Sequence, residues 1–82
     1  MNELLIEVYV PSIGSVYDIS IPYRARVFEL VPLIANAVQK LSDGLFIPND
    51  VVLCNGDLGT IYDYNMSVED MKLKNGSRLM LI

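Results

Sequence analysis

The sequence predicts an α+β domain in which a mixed sheet of four to five strands packs against one α-helix. A hairpin pattern opens the chain, a helical apolar pattern follows, and short apolar runs separated by turns fill the second half. The 82 residues leave room for a single domain over 1–82, because domains commonly hold about 100–200 residues. Hydrophobic residues make up 52% of the chain, which argues against disorder. A domain this small cannot easily bury so many apolar side chains in its own core, and we expect some of them to contact a partner.

The first two elements are predicted to form a β-hairpin. Apolar side chains at every second position of 3–10 are typical of a half-buried strand. Pro11 and Gly14 then provide turn chemistry, because glycine adopts positive φ without steric cost. Apolar and polar residues alternate again over 16–21 and predict the return strand.

The third element is an amphipathic helix. Apolar residues at positions 27, 30, 31, 34, 38 and 41 form one stripe, and Lys40 with Gly44 marks its C-terminal end. Pro32 lies inside the stripe, although proline lacks the N–H that a helix interior uses. One interpretation is a single helix from Val27 with a strained first turn, which we favour. The other is a loose turn over 27–31, with regular helix beginning near Pro32.

Short elements bounded by turns make up the second half of the chain. Residues 51–54 predict a short strand, and residues 58–61 predict a small additional one. Ser67, followed three residues later by Asp70, is a variant of the capping box and predicts a one-turn helix to about residue 71. Residues 78–82 predict the last strand.

This order of elements in about 80 residues resembles the β-grasp fold of ubiquitin. The helix stripe and the run V-x-D-M-x-L-x-N-G-S-x-L-x-L over 68–81 are similar to the ubiquitin helix and its closing signature. Within that group the chain most resembles the YukD/EsaB family, small bacterial ubiquitin-like proteins of type VII secretion. The residues that carry this resemblance lie at 17–22, 27–31 and 74–79. The resemblance implies a non-catalytic accessory or regulatory protein in the cytoplasm, whose partner is a protein of the membrane-associated secretion machinery.

Composition argues against several classes of function. Ten acidic residues against six basic ones give a net charge of −4, so nucleic-acid binding is not expected. The chain has no histidine and a single cysteine, Cys54, so it lacks the commonest general base and cannot form a cysteine-based zinc site. We therefore expect no enzyme activity, no cofactor and no metal site. No apolar run approaches the roughly 18 residues of a membrane span, so direct membrane insertion is not expected either.

A second hypothesis is a ubiquitin-type modifier or a sulfur carrier. Such a protein needs a flexible C-terminal tail ending in Gly-Gly, because a bulky side chain there blocks the channel of the activating enzyme. This sequence ends in Leu81-Ile82, inside the last predicted strand. Conjugation or sulfur transfer is therefore disfavoured.

Strand periodicity predicts a protein-binding surface on the sheet face that the helix leaves open. Successive side chains of a strand point to opposite faces of the sheet. If positions 4, 6 and 8 point inward, position 5 points outward, and if positions 79 and 81 point inward, positions 80 and 82 point outward. Register with the ubiquitin pattern predicts that Val52 and Cys54 point inward and Leu53 outward. The predicted protein-binding residues are Leu5, Leu53, Met80 and Ile82. A homodimer through the same surface fits this pattern equally well.

Overall fold

In a computed structural model, which describes residues 2–82, one helix packs on a four-stranded mixed sheet. The strands are β1 (Glu3–Val10), β2 (Ser15–Pro22), β3 (Leu53–Asn55) and β4 (Arg78–Leu81), and the helix is α1 (Val27–Leu41). The sheet order is β2-β1-β4-β3, with β1 parallel to β4 and the other neighbours antiparallel. This is the ubiquitin-like β-grasp fold, and it confirms the predicted class. Residue 1 of the predicted domain lies outside the described residues.

The predicted β1–β2 hairpin is present, and its strands pair along their whole length. Its register runs from Glu3 opposite Pro22 to Val10 opposite Ser15. A 3-10 turn over Pro11–Ile13 joins the strands and ends at Gly14, whose φ of 62° lies in the left-handed region that glycine adopts easily.

Helix α1 is continuous from Val27 through Pro32, so the prediction of a single helix is confirmed; the strain predicted for its first turn stays a prediction. Its first turn is held from outside the helix. The N–H groups of Val27 and Phe28 donate to the carbonyl oxygens of Met66 and Tyr64, at 2.8 and 3.1 Å. These bonds satisfy donors that a helix N-terminus otherwise leaves free, and so they secure the turn just before the proline.

The second half of the chain is more irregular than predicted. The strand predicted over 51–54 is β3 at 53–55, and the strand predicted over 58–61 is reduced to one bridge between Cys54 and Ile61. The one-turn helix predicted from Ser67 is a hydrogen-bonded turn, in which the Met71 N–H donates to the Ser67 carbonyl at 3.0 Å. Its capping box is present: the Ser67 N–H donates to Asp70 Oδ2 at 3.1 Å, and the Asp70 N–H donates to Ser67 Oγ at 2.9 Å.

The core lies between α1 and the inner face of the sheet. Among the described residues, every fully buried side chain is apolar. The helix supplies Leu30 and Ile34, and β1 and β4 supply alternate residues such as Ile6, Val8 and Leu79. No helix in the described part of the chain has the length and apolar character needed to cross a membrane.

Candidate protein-binding face

The register of β3 reverses its predicted orientation. Leu53 pairs with Leu81, and Cys54 pairs with Met80. Residues directly opposite each other in an antiparallel pair share a face, so Leu53 points into the core with Leu81 and is only 1% exposed. The prediction that Leu53 lies outward and Cys54 inward is therefore wrong. A register shift of one residue is sufficient to exchange the two faces of a strand.

The other three predicted residues lie on the open face, but they do not form one patch. Met80 is partly buried, while Leu5 and Ile82 are 52% and 49% exposed. Leu5 lies at the opposite end of the sheet from Ile82, where its N–H donates to Asn75 Oδ1 at 2.9 Å. It is four residues, or about 13 Å along β1, from Tyr9, the direct neighbour of Met80. Between them on this face lies Glu7.

A row of apolar side chains crosses the open face from one edge of the sheet to the other. Tyr9 pairs with Val16 on one side and with Met80 on the other. Cys54 continues the row from Met80, and its bridge to Ile61 completes it. We call these five residues the apolar row: Val16, Tyr9, Met80, Cys54 and Ile61. Sequence reasoning missed all of them except Met80, although period-2 alternation in the hairpin already places Tyr9 and Val16 outward.

The apolar row has exposed ends and a recessed middle. Val16, Tyr9 and Ile61 are exposed, while Cys54 is fully buried yet makes no part of the main core cluster. Burial raises the pKa of the Cys54 thiol, which keeps it protonated and uncharged at neutral pH. Ile82 lies two residues after Met80 and therefore on the same face of the sheet, where it extends the apolar surface beside the row. Backbone hydrogen bonds of 2.7 and 3.0 Å with Val52 hold it there.

A row of charged side chains lies next to the apolar row, displaced from it by two residues on β1, β2 and β4 and continued by Asp57 just beyond β3. Glu7 pairs with Asp18 on β2 and with Arg78 on β4. Arg78 lies 3.6 Å from Glu7 and 3.7 Å from Asp57, measured between guanidinium nitrogen and carboxylate oxygen. We call Asp18, Glu7, Arg78 and Asp57 the charged row. Both ion pairs are largely solvent-exposed and are expected to contribute little to stability.

The backbone beside the charged row is closely packed at one point. The Gly56 N–H donates to the Arg78 carbonyl at 2.9 Å. A Cβ added at Gly56 would lie 2.8 Å from the backbone carbon of Arg78. Glycine is required here because of this close approach.

Two ionisable side chains at this face, Cys54 and Tyr62, have raised pKa values. In the described range, no three histidine, cysteine, aspartate or glutamate side chains are placed to hold a metal ion. Tyr62, close to Cys54, has its pKa raised, chiefly by burial, and its hydroxyl accepts a 3.2 Å hydrogen bond from Asn55 Nδ2. Neither the thiol nor the phenol is thereby activated as a nucleophile, because in both the neutral form is favoured.

Neither a family model nor a curated protein matches the sequence. Solved structures do match. The ubiquitin-like domain of the Mycobacterium tuberculosis type VII secretion protein EccD1 has a TM-score of 0.77 at 10% identity, covering 100% of this chain and 99% of that chain. A chain of the MycP5-free ESX-5 inner membrane complex has a TM-score of 0.74 at 16% identity, covering 100% of this chain and 21% of that chain.

The same fold also occurs in an enzyme complex. A chain of the toluene 4-monooxygenase HD complex with the inhibitor 4-bromobenzoate has a TM-score of 0.79 at 6% identity, covering 96% of this chain and 95% of that chain. At identities this low the similarities establish the ubiquitin-like fold alone. A shared fold does not determine function, which depends on the residues of the site.

Proposed function

We propose that this protein is a non-catalytic ubiquitin-like interaction module, an accessory or regulatory component of a bacterial type VII secretion system. It acts in the cytoplasm, where its open sheet face docks on a protein partner of the membrane-associated machinery. The YukD/EsaB resemblance supports this assignment. So does the similarity to the ubiquitin-like domain of EccD1 and to part of a chain of the ESX-5 inner membrane complex.

The observation that carries the docking part of the proposal is the apolar row. Its backbone pairing is continuous across all four strands and the Ile61 bridge. Val16, Tyr9 and Ile61 are exposed and Met80 is partly exposed, while Cys54, between Met80 and Ile61, is buried. Apolar side chains that are neighbours on one open sheet face, rather than scattered, are typical of a protein–protein contact. Met80 is the centre of the row, and the few residues that dominate the free energy of binding cluster near the centre of an interface.

The predicted contact residues Met80 and Ile82 belong to this docking surface. Leu5 joins it only with a partner wide enough to cross the charged row. Leu53 has no place in it, because its side chain is in the core. The surface instead gains Tyr9, Val16 and Ile61.

Met80→Glu tests the docking surface, and Phe28→Glu is a matched control. Phe28 is an equally bulky apolar residue, 52% exposed, but it lies on α1, away from the open sheet face. We expect Met80→Glu to weaken partner binding by about ten-fold or more, because it places a charge at the centre of the contact, and Phe28→Glu to leave binding unchanged. The measurement is an affinity pull-down of tagged protein from host lysate, membrane fraction included, identified by mass spectrometry.

Recovery of secretion-system proteins by the wild type and by Phe28→Glu, but not by a folded Met80→Glu variant, supports both parts of the proposal. Equal recovery by all three proteins would remove the apolar row from the account. An intact mass measured on protein from the native host adds a separate control. A covalent adduct there would favour the modifier or carrier hypothesis instead.

A further inference from the structure

The charges beside the apolar row are distributed unevenly. At the β2–β1 end the charged row holds Asp18 and Glu7, and no basic side chain projects from either strand on this face. At the β4–β3 end Arg78 meets Asp57, and Lys72 and Lys74 line the cleft beyond it. Across the charged row, three carboxylates stand against one guanidinium, so the row is net negative. The negative potential is concentrated at the β2–β1 end.

The dimensions of the apolar row suit a helix. Its five members lie on adjacent strands and so span four inter-strand spacings, or about 19 Å. An α-helix of about 13 residues has this length. A helix lying along the row, with its apolar face on Met80, brings one polar flank over the charged row, which lies about 7 Å away.

We propose that the docking surface takes an amphipathic helix whose flank over Asp18 and Glu7 carries lysine or arginine. This inference rests on the proposed function and names the chemistry of the partner. Basic side chains on that flank would form ion pairs with carboxylates of the charged row, which outnumber its single basic side chain, Arg78. Acidic side chains there would meet like charge.

A second copy of the chain is a poorer occupant. It would present the same net negative row, with Glu7, Asp18 and Asp57 against Arg78, and it therefore supplies no surplus of basic side chains. The described chain also offers no free helix that could lie on the row, since α1 is packed against the inner face. Charge complementarity thus favours a different protein over a homodimer.

Two synthetic peptides of about 18 residues test the proposal. Both carry leucine along one helical face, and one has lysine on its flanks where its twin has glutamate. Each is titrated into the ¹⁵N-labelled full chain, and amide chemical shifts are followed at low and high salt. We expect the lysine peptide to bind roughly five-fold or more tightly than its twin, to shift the amides of Tyr9, Val16, Met80 and Ile61, and to lose affinity as salt is added.

The variants Asp18→Lys and Glu69→Lys test whether the preference for the lysine peptide depends on the charge at position 18 or on the net charge of the protein. Both change the charge of the protein equally, but Glu69 lies beside Arg24 and Arg26, near the N-terminus of α1. Asp18→Lys should abolish the preference for the lysine peptide, and Glu69→Lys should retain it. Survival of the preference in Asp18→Lys would overturn the inference.

The remaining outcomes also decide the question. If the glutamate peptide shifts the same amides with equal affinity, the charge inference is wrong and the docking surface stands. If neither peptide shifts the apolar row, both the inference and the proposed surface are contradicted. Concentration-dependent shifts of the row in the protein alone, with a dimer in sedimentation, would show that a second copy occupies the face and would overturn the inference.

Discussion

The open face of the sheet carries two neighbouring rows that are built on the same strands but have opposite chemistry. In the charged row, the cation Arg78 already has acidic neighbours within the chain, Glu7 and Asp57. In the apolar row, Tyr9 and Val16 pair only with each other and with Met80, and water covers what remains exposed. The two rows are only two residues apart along β1, β2 and β4. The charges of one are partly paired within the chain, whereas burial of the apolar side chains of the other by a partner would be favourable.

The largest expected loss of stability follows from replacing Leu53, which lies on the core side of β3. Leu53→Ala should lower the free energy of unfolding by about 2–5 kcal/mol, because Leu53 is a fully buried core residue. Ile61→Ala, at an exposed member of the apolar row, should change it by about 0.5 kcal/mol or less. Urea denaturation of both variants measures the difference. A Leu53→Ala variant that loses no more stability than Ile61→Ala would contradict the inward orientation of Leu53 and with it the register of β3.

A smaller effect is expected at Gly56, beside the charged row. Gly56→Ala should cost roughly 1–3 kcal/mol of stability, because the added Cβ forces the backbone of Arg78 to move. Arg78→Ala removes both exposed ion pairs but leaves that backbone in place, and should cost about 1 kcal/mol or less. Thermal unfolding of the two variants ranks them. The reverse order would mean that the ion pairs, rather than the close backbone approach, stabilise this end of the sheet.

The elements predicted best from sequence are those whose patterns are long. Eight alternating residues determine which face of β1 is buried, and the stripe from Val27 to Leu41 identifies α1 in spite of Pro32. The hydrogen bonds to the first turn of α1 could not be predicted from the sequence. Their acceptors, the carbonyl oxygens of Tyr64 and Met66, lie in a loop more than thirty residues away.

The error at β3 has a physical cause. The strand is only three residues long, and all of 51–54 is apolar, so alternation does not indicate which side is buried. Its register is fixed by pairing with β4, a contact between distant parts of the chain. The apolar row was missed for the same reason, since its members come from five segments and only the pairing of those segments reveals that they are adjacent.

The most direct test of the account is to locate the bound partner on the labelled protein by hydrogen–deuterium exchange. The secretion-machinery protein recovered with the wild type, once purified, is added to the full chain, and backbone protection is compared with that of the free protein. We expect new protection in β1, β2 and β4 around Tyr9, Val16 and Met80, with α1 unchanged around Phe28 and Leu33. Protection confined to the outer surface of α1, with the apolar row unchanged, would contradict the claim that the open sheet face is the docking surface.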